Sequence, residues 1–473
     1  MSGLKLLMCI DQHELQKWNV STTAGTVLTI FNSLLCVILL SSCGESPNNI
    51  LPTPEPPDPT PVDTAITIAE GCSGTLPVLL INTDGEAAIV SKEEYISADW
   101  WLDPIGIKGV EAIGSSQRPE RMQIKGRGNS TWKNLEKKSY RLKFDQKHPI
   151  LGMHSSRHWT LLAQALSWMG QMNDALPFEI GRRMGMSWNP HMEPVEVVLN
   201  GEYIGLYFLT EKIRVSPHRV NVVEQNDCET EPDNITGGWL LEIENYVQHD
   251  DIKFTEGNGK PFWVTVHSPE LLSQQQRDYI TRFLVETDSA IYLQDKTSQL
   301  WEQYIDMDSL AIYYIVQEVV DNPEAFSGSC YIHKQRGSDT KLVFGPLWDC
   351  GSSFFKWSED YAFNEFIYEN VPSYCLSRWI GEIAKFPRFQ QRVMYHWKRF
   401  YREVYPTMDE YMDRFVAKIE QAGNADHERW PQYPSDNTID RLNRFGKPSF
   451  HKKVEWLNSQ WGAGTDLQIE GCN

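Results

Sequence analysis

Val195-Glu196-Val197-Val198-Leu199-Asn200-Gly201-Glu202-Tyr203-Ile204-Gly205-Leu206-Tyr207-Phe208-Leu209 reads as a β-hairpin. Two runs of β-branched, aliphatic and aromatic residues flank Asn200-Gly201, the dipeptide best suited to the positive φ of a two-residue turn. Upstream the chain is strand-rich. Leu76 to Asn82 is a strand stopped by Asp84-Gly85, and Met122 to Gly128 leads into a loop. In Ser139 to Phe144, alternation puts Tyr140, Leu142 and Phe144 on one face and Arg141 and Lys143 on the other. Ala175 to Met184 is helical, with Gly185 as its C-cap. Downstream of the hairpin come a strand, Gly238 to Ile243, and helices over Ser273 to Thr287 and Ser298 to Tyr304. An apolar helix follows from Asp308 to Val320, capped by Asp308. Tyr331 to Lys334 and Leu342 to Phe344 form a short hairpin, and from Pro372 to Trp461 the pattern is helical. Strands first and helices later predict an α+β fold of two lobes, with a ligand site between them.

The N-terminus is of another kind. Val27 to Leu40 is an uncharged, mostly apolar stretch of 14 residues. That is too short to span a bilayer and suits the h-region of a signal peptide. It runs into Leu40-Ser41-Ser42-Cys43-Gly44, which resembles the lipobox of bacterial lipoproteins, with Cys43 lipidated as the first mature residue. The alternative is a core helix followed by a chance cysteine. Ser46 to Asp63 is Pro-rich and polar, the composition of an extended tether. The expected organisation is therefore a signal peptide over 1–42, lipidated Cys43 and tether over 43–64, and a folded domain over 65–473. Such a protein is anchored outside the cytoplasm, at the outer membrane or cell surface. The 26 residues before the h-region are long for a leader, and a start at Met8 would shorten them.

Sixty-three acidic against 44 basic residues give a net charge of −19. The surplus repels phosphate backbones and excludes a nucleic-acid binder that works by counterion release. With Cys9 and Cys36 removed, six thiols remain beside Cys43: Cys72, Cys228, Cys330, Cys350, Cys375 and Cys472. Six allow up to three disulfides in an oxidising compartment. No CxxC and no HExxH occurs, so a structural zinc site is not expected. The 63 carboxylates guarantee some close pairs, so acid count gives no support to a glycoside hydrolase.

Two places carry chemistry by residue type. Glu324 and Asp349 flank the short hairpin that follows the apolar helix, placing two carboxylates where a metal–phosphate complex can be held. Gly126-Arg127-Gly128-Asn129-Ser130 is a Gly-rich turn before the strand bearing Lys143. Glycines let backbone N–H groups approach phosphate oxygens, and a strand lysine supplies fixed positive charge. Each signal has an ordinary alternative: GRGNS is a plain turn, and Asp349 caps a loop.

The order of the motifs adds to this. Arg127-Gly128-Asn129-Ser130-Thr131-Trp132 and Lys138-Ser139-Tyr140-Arg141-Leu142-Lys143 resemble the opening of the spore-coat protein H (CotH) kinase family. Val197 to Tyr207, Leu209-Thr210-Glu211-Lys212, Arg219-Val220-Asn221, Gly237 to Glu242, Asp308 to Ala311 and Gly345-Pro346-Leu347-Trp348-Asp349 continue it. The resemblance runs from about Leu76 to Trp461. It implies a secreted or surface-attached protein with an atypical protein-kinase-like fold, transferring phosphate from ATP to protein Ser/Thr. Asp349 then looks like the metal-binding Asp, with Ser329 near the second metal position and Mg2+ or Mn2+ as the ion. Glu324 falls at the catalytic-loop base. Lys143 is similar to the phosphate-pairing lysine and Glu179 to its ion-pair partner, the alternatives being a solvent-facing lysine and a helix-surface glutamate. Arg127, Gly128 and Asn129 would lie over the phosphates, and Glu211-Lys212 at the adenine edge.

Three departures stand against full activity. Glu324 replaces the usual Asp and is one methylene longer. The stretch that usually reads Asp-Lys-Ser…Arg-Asn is Trp168-Met169-Gly170…Asn173-Asp174, lacking an Asp and an Arg. Cys350 follows Asp349, and a Cys330–Cys350 disulfide or two unlinked buried thiols both fit. A pseudokinase that binds a protein or glycan partner is the alternative to a kinase, and the 17 tryptophans would suit glycan stacking if exposed. With −19 on the mature chain, ATP requires a local cationic pocket, expected around Lys143 and Arg127.

Overall fold

The computed structural model describes residues 69–165, 171–244, 252–255, 261–354, 363–370, 376–433 and 438–462. The expected signal peptide, Cys43, the tether and Trp168 to Gly170 lie outside them. Thr67–Asn473 forms one compact unit.

Seven strands open the unit: β1 (Val78–Thr83), β2 (Ile96–Asp103), β3 (Glu120–Arg127), β4 (Ser139–Ile150), β5 (Met153–Leu162), β6 (Met192–Leu199) and β7 (Glu202–Glu211). They close a barrel in the order β1-β2-β3-β4-β5-β7-β6. Neighbours are antiparallel except at the seam, where β1 runs parallel to β6 with Val78 opposite Glu196. Helix α1 (Ser130–Asn134) sits between β3 and β4, and α2 (Ala175–Arg183) between β5 and β6. Period-two alternation fills the interior: Leu79 and Ile81, Ala98 and Trp100, Met122 and Ile124, Leu142 and Phe144, Trp159 and Leu161. Trp100 stacks on Phe144 with ring centroids 3.9 Å apart. Burying a side chain of this size stabilises by about 2–3 kcal/mol. On β6 and β7 the outward residues Met192, Leu206 and Phe208 are buried too, because they pack into the larger core of the second half.

That half carries the sheet β12-β11-β8-β10-β9, made of β8 (Trp239–Glu244), β9 (Ile252–Thr255), β10 (Pro261–Ser268), β11 (Cys330–Lys334) and β12 (Leu342–Phe344). Its helices are α3 (Gln274–Ile291), α4 (Met307–Val319), α5 (Ile367–Asn370), α6 (Leu376–Ile383), α7 (Pro387–Arg399), α8 (Met408–Arg429), α9 (Thr438–Arg441) and α10 (Lys447–Trp461). Ser273 and Gln276 form a reciprocal capping box at the start of α3. Helix α4 is capped by Asp306, which accepts from Ser309 N at 2.7 Å, and not by Asp308 as the sequence suggests. The Asp308 carboxylate is drawn instead to His396 (2.6 Å) and Arg392 (3.2 Å) on α7. The helix expected over Ser298 to Tyr304 is only a 3-10 turn, Leu300–Gln303.

Strands first and helices later is the observed α+β order, while the closed barrel goes beyond what the sequence reading anticipated. Cys72, Cys330 and Cys350 are free thiols and Cys228 is disulfide-bonded. The six mature cysteines beside Cys43 therefore form at most one disulfide among themselves, not three. No helix among the described residues is long and apolar enough to cross a membrane.

Candidate functional site

The loop after α4 and the loop after β12 converge. After α4, Asn322 folds the chain back: its Oδ1 accepts from Glu324 N at 3.2 Å, and its Nδ2 donates to Gln317 at 3.2 Å. After β12, Asp349 stands in the left-handed region with φ 54° and ψ 48°. Asp tolerates that region better than most residues, yet holding a non-glycine there costs of order 1 kcal/mol or more and clusters at functional sites. The entrance to α2 holds it in place. Asn173 Nδ2 donates to the carbonyls of Gly351 (2.8 Å) and Ser353 (2.9 Å). Cys350 N donates to Asp174 Oδ1 at 2.8 Å. Asn189 Oδ1 accepts from Leu347 N at 2.9 Å.

Asp349 is the electrostatic hub of this region. Its side chain reaches solvent although protein crowds it on most sides, as expected for the lining of a site open in one direction. Burial raises its carboxyl above the ordinary range, Arg127 opposes that, and Glu242 adds to it. Glu324 is also exposed. Burial and then Asp349 raise its carboxyl, against a 3.0 Å hydrogen bond from Ser352 to its Oε2. Asp174 is buried and pushed up to about 6, first by burial and then by Asp349, with Gln164, the Cys350 N–H and Arg127 opposing. Three carboxylates, Glu324, Asp174 and Glu242, thus meet around Asp349. The Arg127 guanidinium lies 5.4 Å over the Trp348 ring. On β8, Glu242 accepts from His267, whose ring stacks on Tyr331 at 5.4 Å. Burial works against the Glu242 charge, and the His267 bond outweighs it, holding that carboxyl below its ordinary value.

A protein-family model described as CotH kinase protein matches residues 124–459, from inside β3 to inside α10. The chain belongs to the CotH kinase family. A comparison with curated proteins finds no match.

Within the family frame, the structure brings Asp349, Glu324 and Arg127 together and leaves other sequence candidates apart. Lys143 is exposed and paired across the sheet with Gln123 and His158, and its side chain makes no hydrogen bond or ion pair with any described residue. Its expected partner Glu179 is committed elsewhere, to Arg182 and Arg183 at 2.7 Å each. The Lys143–Glu179 pair is not formed because two arginines at i+3 and i+4 on the same helix reach Glu179 first. Glu211 is buried, accepting from His191 Nδ1 at 3.0 Å and facing Arg219 Nε at 3.7 Å. Of the Glu211-Lys212 edge, only Lys212 is left partly open. Gly128 has φ 100° and Asn129 accepts from Lys92 at 3.1 Å on the surface. The neighbouring Gly126 is required by packing, since a Cβ there would lie 2.2 Å from the Trp132 ring.

Ser329, at φ 51°, directly precedes β11. Among the described residues no three His, Cys, Asp or Glu side chains are grouped closely enough to hold a metal ion by themselves. Mg2+ typically takes one or two carboxylates and completes its shell with phosphate and water. The hard oxygens of Asp349 and Glu324, in uncompensated negative charge, fit that demand. Asn173, Asp174 and Glu242 entered the sequence analysis only as members of motifs, with no site role, and His267 did not enter it. Two signals were available: an Asn-Asp pair at a helix entrance, and a glutamate inside the otherwise apolar Trp239-Leu240-Leu241-Glu242-Ile243.

The raised Asp174 has a measurable consequence. Between pH ~4 and ~6 the folded chain keeps a proton that the unfolded chain has released, so the stability present below that window is lost as pH rises through it. Urea unfolding from pH 4 to 7 is expected to show a steeper loss in the native chain than in Asp174→Asn, by about 1–3 kcal/mol across the window. Equal slopes would mean that Asp174 titrates as an ordinary carboxylate.

Proposed function

We propose that this chain is a membrane-anchored extracytoplasmic protein kinase, transferring the terminal phosphoryl group of ATP to a Ser or Thr hydroxyl of a protein. The observation that carries the reading is the exposed Asp349 in its left-handed turn, surrounded by Glu324, Asp174 and Glu242 and opposed by Arg127. Phosphoryl transfer needs positioning and charge stabilisation more than covalent chemistry. A Mg2+ or Mn2+ ion, held by Asp349 with Ser329 or Glu324 beside it, would supply neutralising charge at the phosphate oxygens. Arg127, whose guanidinium lies over Trp348 at the end of β3, would face those oxygens. The Gly128-Asn129 turn offers backbone N–H groups beside it. Glu324 is the base. Its raised affinity for a proton suits acceptance from a substrate hydroxyl, and Ser352 fixes one carboxylate oxygen, Oε2. Cys43 would tether the domain to the membrane through its lipid.

One observation favours a second reading, a nucleotide- or protein-binding pseudokinase: the Lys143–Glu179 pair is absent. Glycan stacking loses its motive, because no tryptophan among the described residues is exposed. The test is incubation of residues 65–473 with radiolabelled ATP, Mg2+ and Mn2+, with and without a carrier protein. Label in the chain or carrier is the expected result. Nucleotide-induced thermal stabilisation without label would assign the binding-only role.

A further inference from the structure

Away from the carboxylates, the outward faces of β4 and β5 and the segment after β7 gather cations. Arg141 on β4 stands opposite Lys125 on β3 and Thr160 on β5. Lys212 and Arg214 follow β7, alternating with Ile213 and Val215, which pack into a small apolar cluster with Tyr331 and Trp348. Arg219 folds beneath them, its Nη1 donating to the carbonyls of His158 (3.0 Å) and Lys212 (2.6 Å). Its guanidinium lies 5.2 Å over the Trp159 ring.

Arg141 also meets the Tyr95 hydroxyl, yet several polar atoms of this patch are buried and unsatisfied. Among the described residues, Arg141 Nε, Arg214 Nε, Arg219 Nη2, His158 Nδ1 and Thr160 Oγ1 have no hydrogen-bond partner, and Arg219 is 4% and Thr160 3% exposed. An orphaned buried donor costs about 1–3 kcal/mol, and native proteins leave few of them. Water could pair with one such donor, but it could not offset four like charges. Among the described residues the carboxylates at hand are Glu211, committed to Arg219 and His191, and Glu270 beside Lys212. Mutual repulsion adds to burial in disfavouring the charged forms of Lys212 and His158. Burial first, then Arg141 and Arg214, bring Lys212 down to about 7, with Glu270 opposing and Arg219 adding. Burial, Arg214, Lys212, Arg141 and Arg219 bring His158 down to about 3.

We infer that Arg141, Lys212, Arg214 and Arg219, with the Thr160 hydroxyl, form a binding site for a phosphate group. Several N–H donors converging with multiple positive charge match a tetrahedral dianion better than a carboxylate. Arg141 is one diagonal step across the sheet from Arg127, so the phosphate can belong to the nucleotide of the proposed kinase or to a second molecule. The site rests on that kinase reading only for the first source.

The test is calorimetric titration of the full chain at constant ionic strength with inorganic phosphate, with ATP and with adenosine, at pH 7.5 in two buffers of different ionisation enthalpy. Phosphate is expected to bind with uptake of a proton, because the incoming anion restores the Lys212 charge. Arg214→Gln and Lys212→Met each weaken it by about tenfold, and Lys212→Met also removes the proton uptake. Lys147→Gln, exposed further along the same strand as Arg141, leaves both unchanged. Both substitutions are at partly exposed positions, and thermal unfolding confirms that the variants fold. If ATP weakens in parallel with phosphate, the nucleotide is the source; if ATP is unaffected and does not compete with phosphate, a second molecule is. Phosphate affinity that is absent, or that ignores Arg214 and Lys212, overturns the site. Phosphate binding in a chain that labels nothing overturns only the kinase reading.

Discussion

Asp349→Asn is expected to lower phosphoryl transfer on the order of a thousandfold, about 4 kcal/mol in the barrier, while leaving the fold intact. The separation follows from how Asp349 is placed. Its carboxylate accepts no hydrogen bond from any described residue, so its removal orphans no buried donor. Three carboxylates face it, so loss of one negative charge relieves repulsion, and the variant should melt at or slightly above the native temperature. Asparagine is the informative replacement because it keeps the left-handed backbone that alanine would strain by roughly 1–2 kcal/mol. The same substitution should lower the Asp174 titration from about 6, since Asp349 is the second cause of that shift after burial. Transfer rate, melting temperature and the pH profile of stability thus form one experiment with three readouts. Undiminished transfer in Asp349→Asn would remove this residue from the catalytic site.

The residues that proved legible in the sequence are those whose partners are close along the chain. Tyr140, Leu142 and Phe144 announced their shared face by alternation, and Asn200-Gly201 announced its turn. Glu179 was legible and misread: arginines at i+3 and i+4 were visible in Glu179-Ile180-Gly181-Arg182-Arg183, and helical spacing favours them over a distant strand lysine. Long-range partners were hidden. Barrel closure depends on β1 meeting β6 across more than a hundred residues, and no local pattern encodes a parallel seam. Strand β5 begins Met153-His154-Ser155-Ser156-Arg157-His158, a polar opening that masks the apolar Trp159 to Leu162. Alternation placed Arg141 and Lys143 on one face but could not rank them. The segment carrying Lys212 and Arg214 approaches Arg141 and leaves Lys143 in solvent. The cations therefore gather around Arg141, two residues from Lys143.

A buried ion pair, Lys137 with Asp426, ties the barrel to α8, and breaking it from the acidic side should be strongly destabilising. Lys137 and Asp426 are 1% and 2% exposed. Lys137 Nζ reaches Asp426 Oδ1 at 2.7 Å, donates to the Leu206 carbonyl at 2.8 Å, and lies 5.1 Å over the Tyr207 ring. Asp426, on α8, also accepts from Leu206 N at 2.9 Å. The carboxylate can come this close to β7 only because residue 205 is glycine: its φ is 114°, and a Cβ there would lie 2.2 Å from Asp426 Oδ1. The irregular register between β6 and β7 at Val197–Val198, opposite Gly205, is the opening it uses. Asp426→Ala strands an ammonium with no counter-charge and leaves the Leu206 N–H unpaired, for an expected loss of about 3–5 kcal/mol in urea unfolding. Lys137→Met should cost less, because Asp426 keeps its bond from Leu206 and burial already raises its affinity for a proton. The double variant Lys137→Met/Asp426→Leu should regain part of the loss, since neither charge is then left alone in the interior. A cost below about 1 kcal/mol for Asp426→Ala would mean that water reaches Lys137 and that apolar packing of α8 on β7 holds the junction unaided.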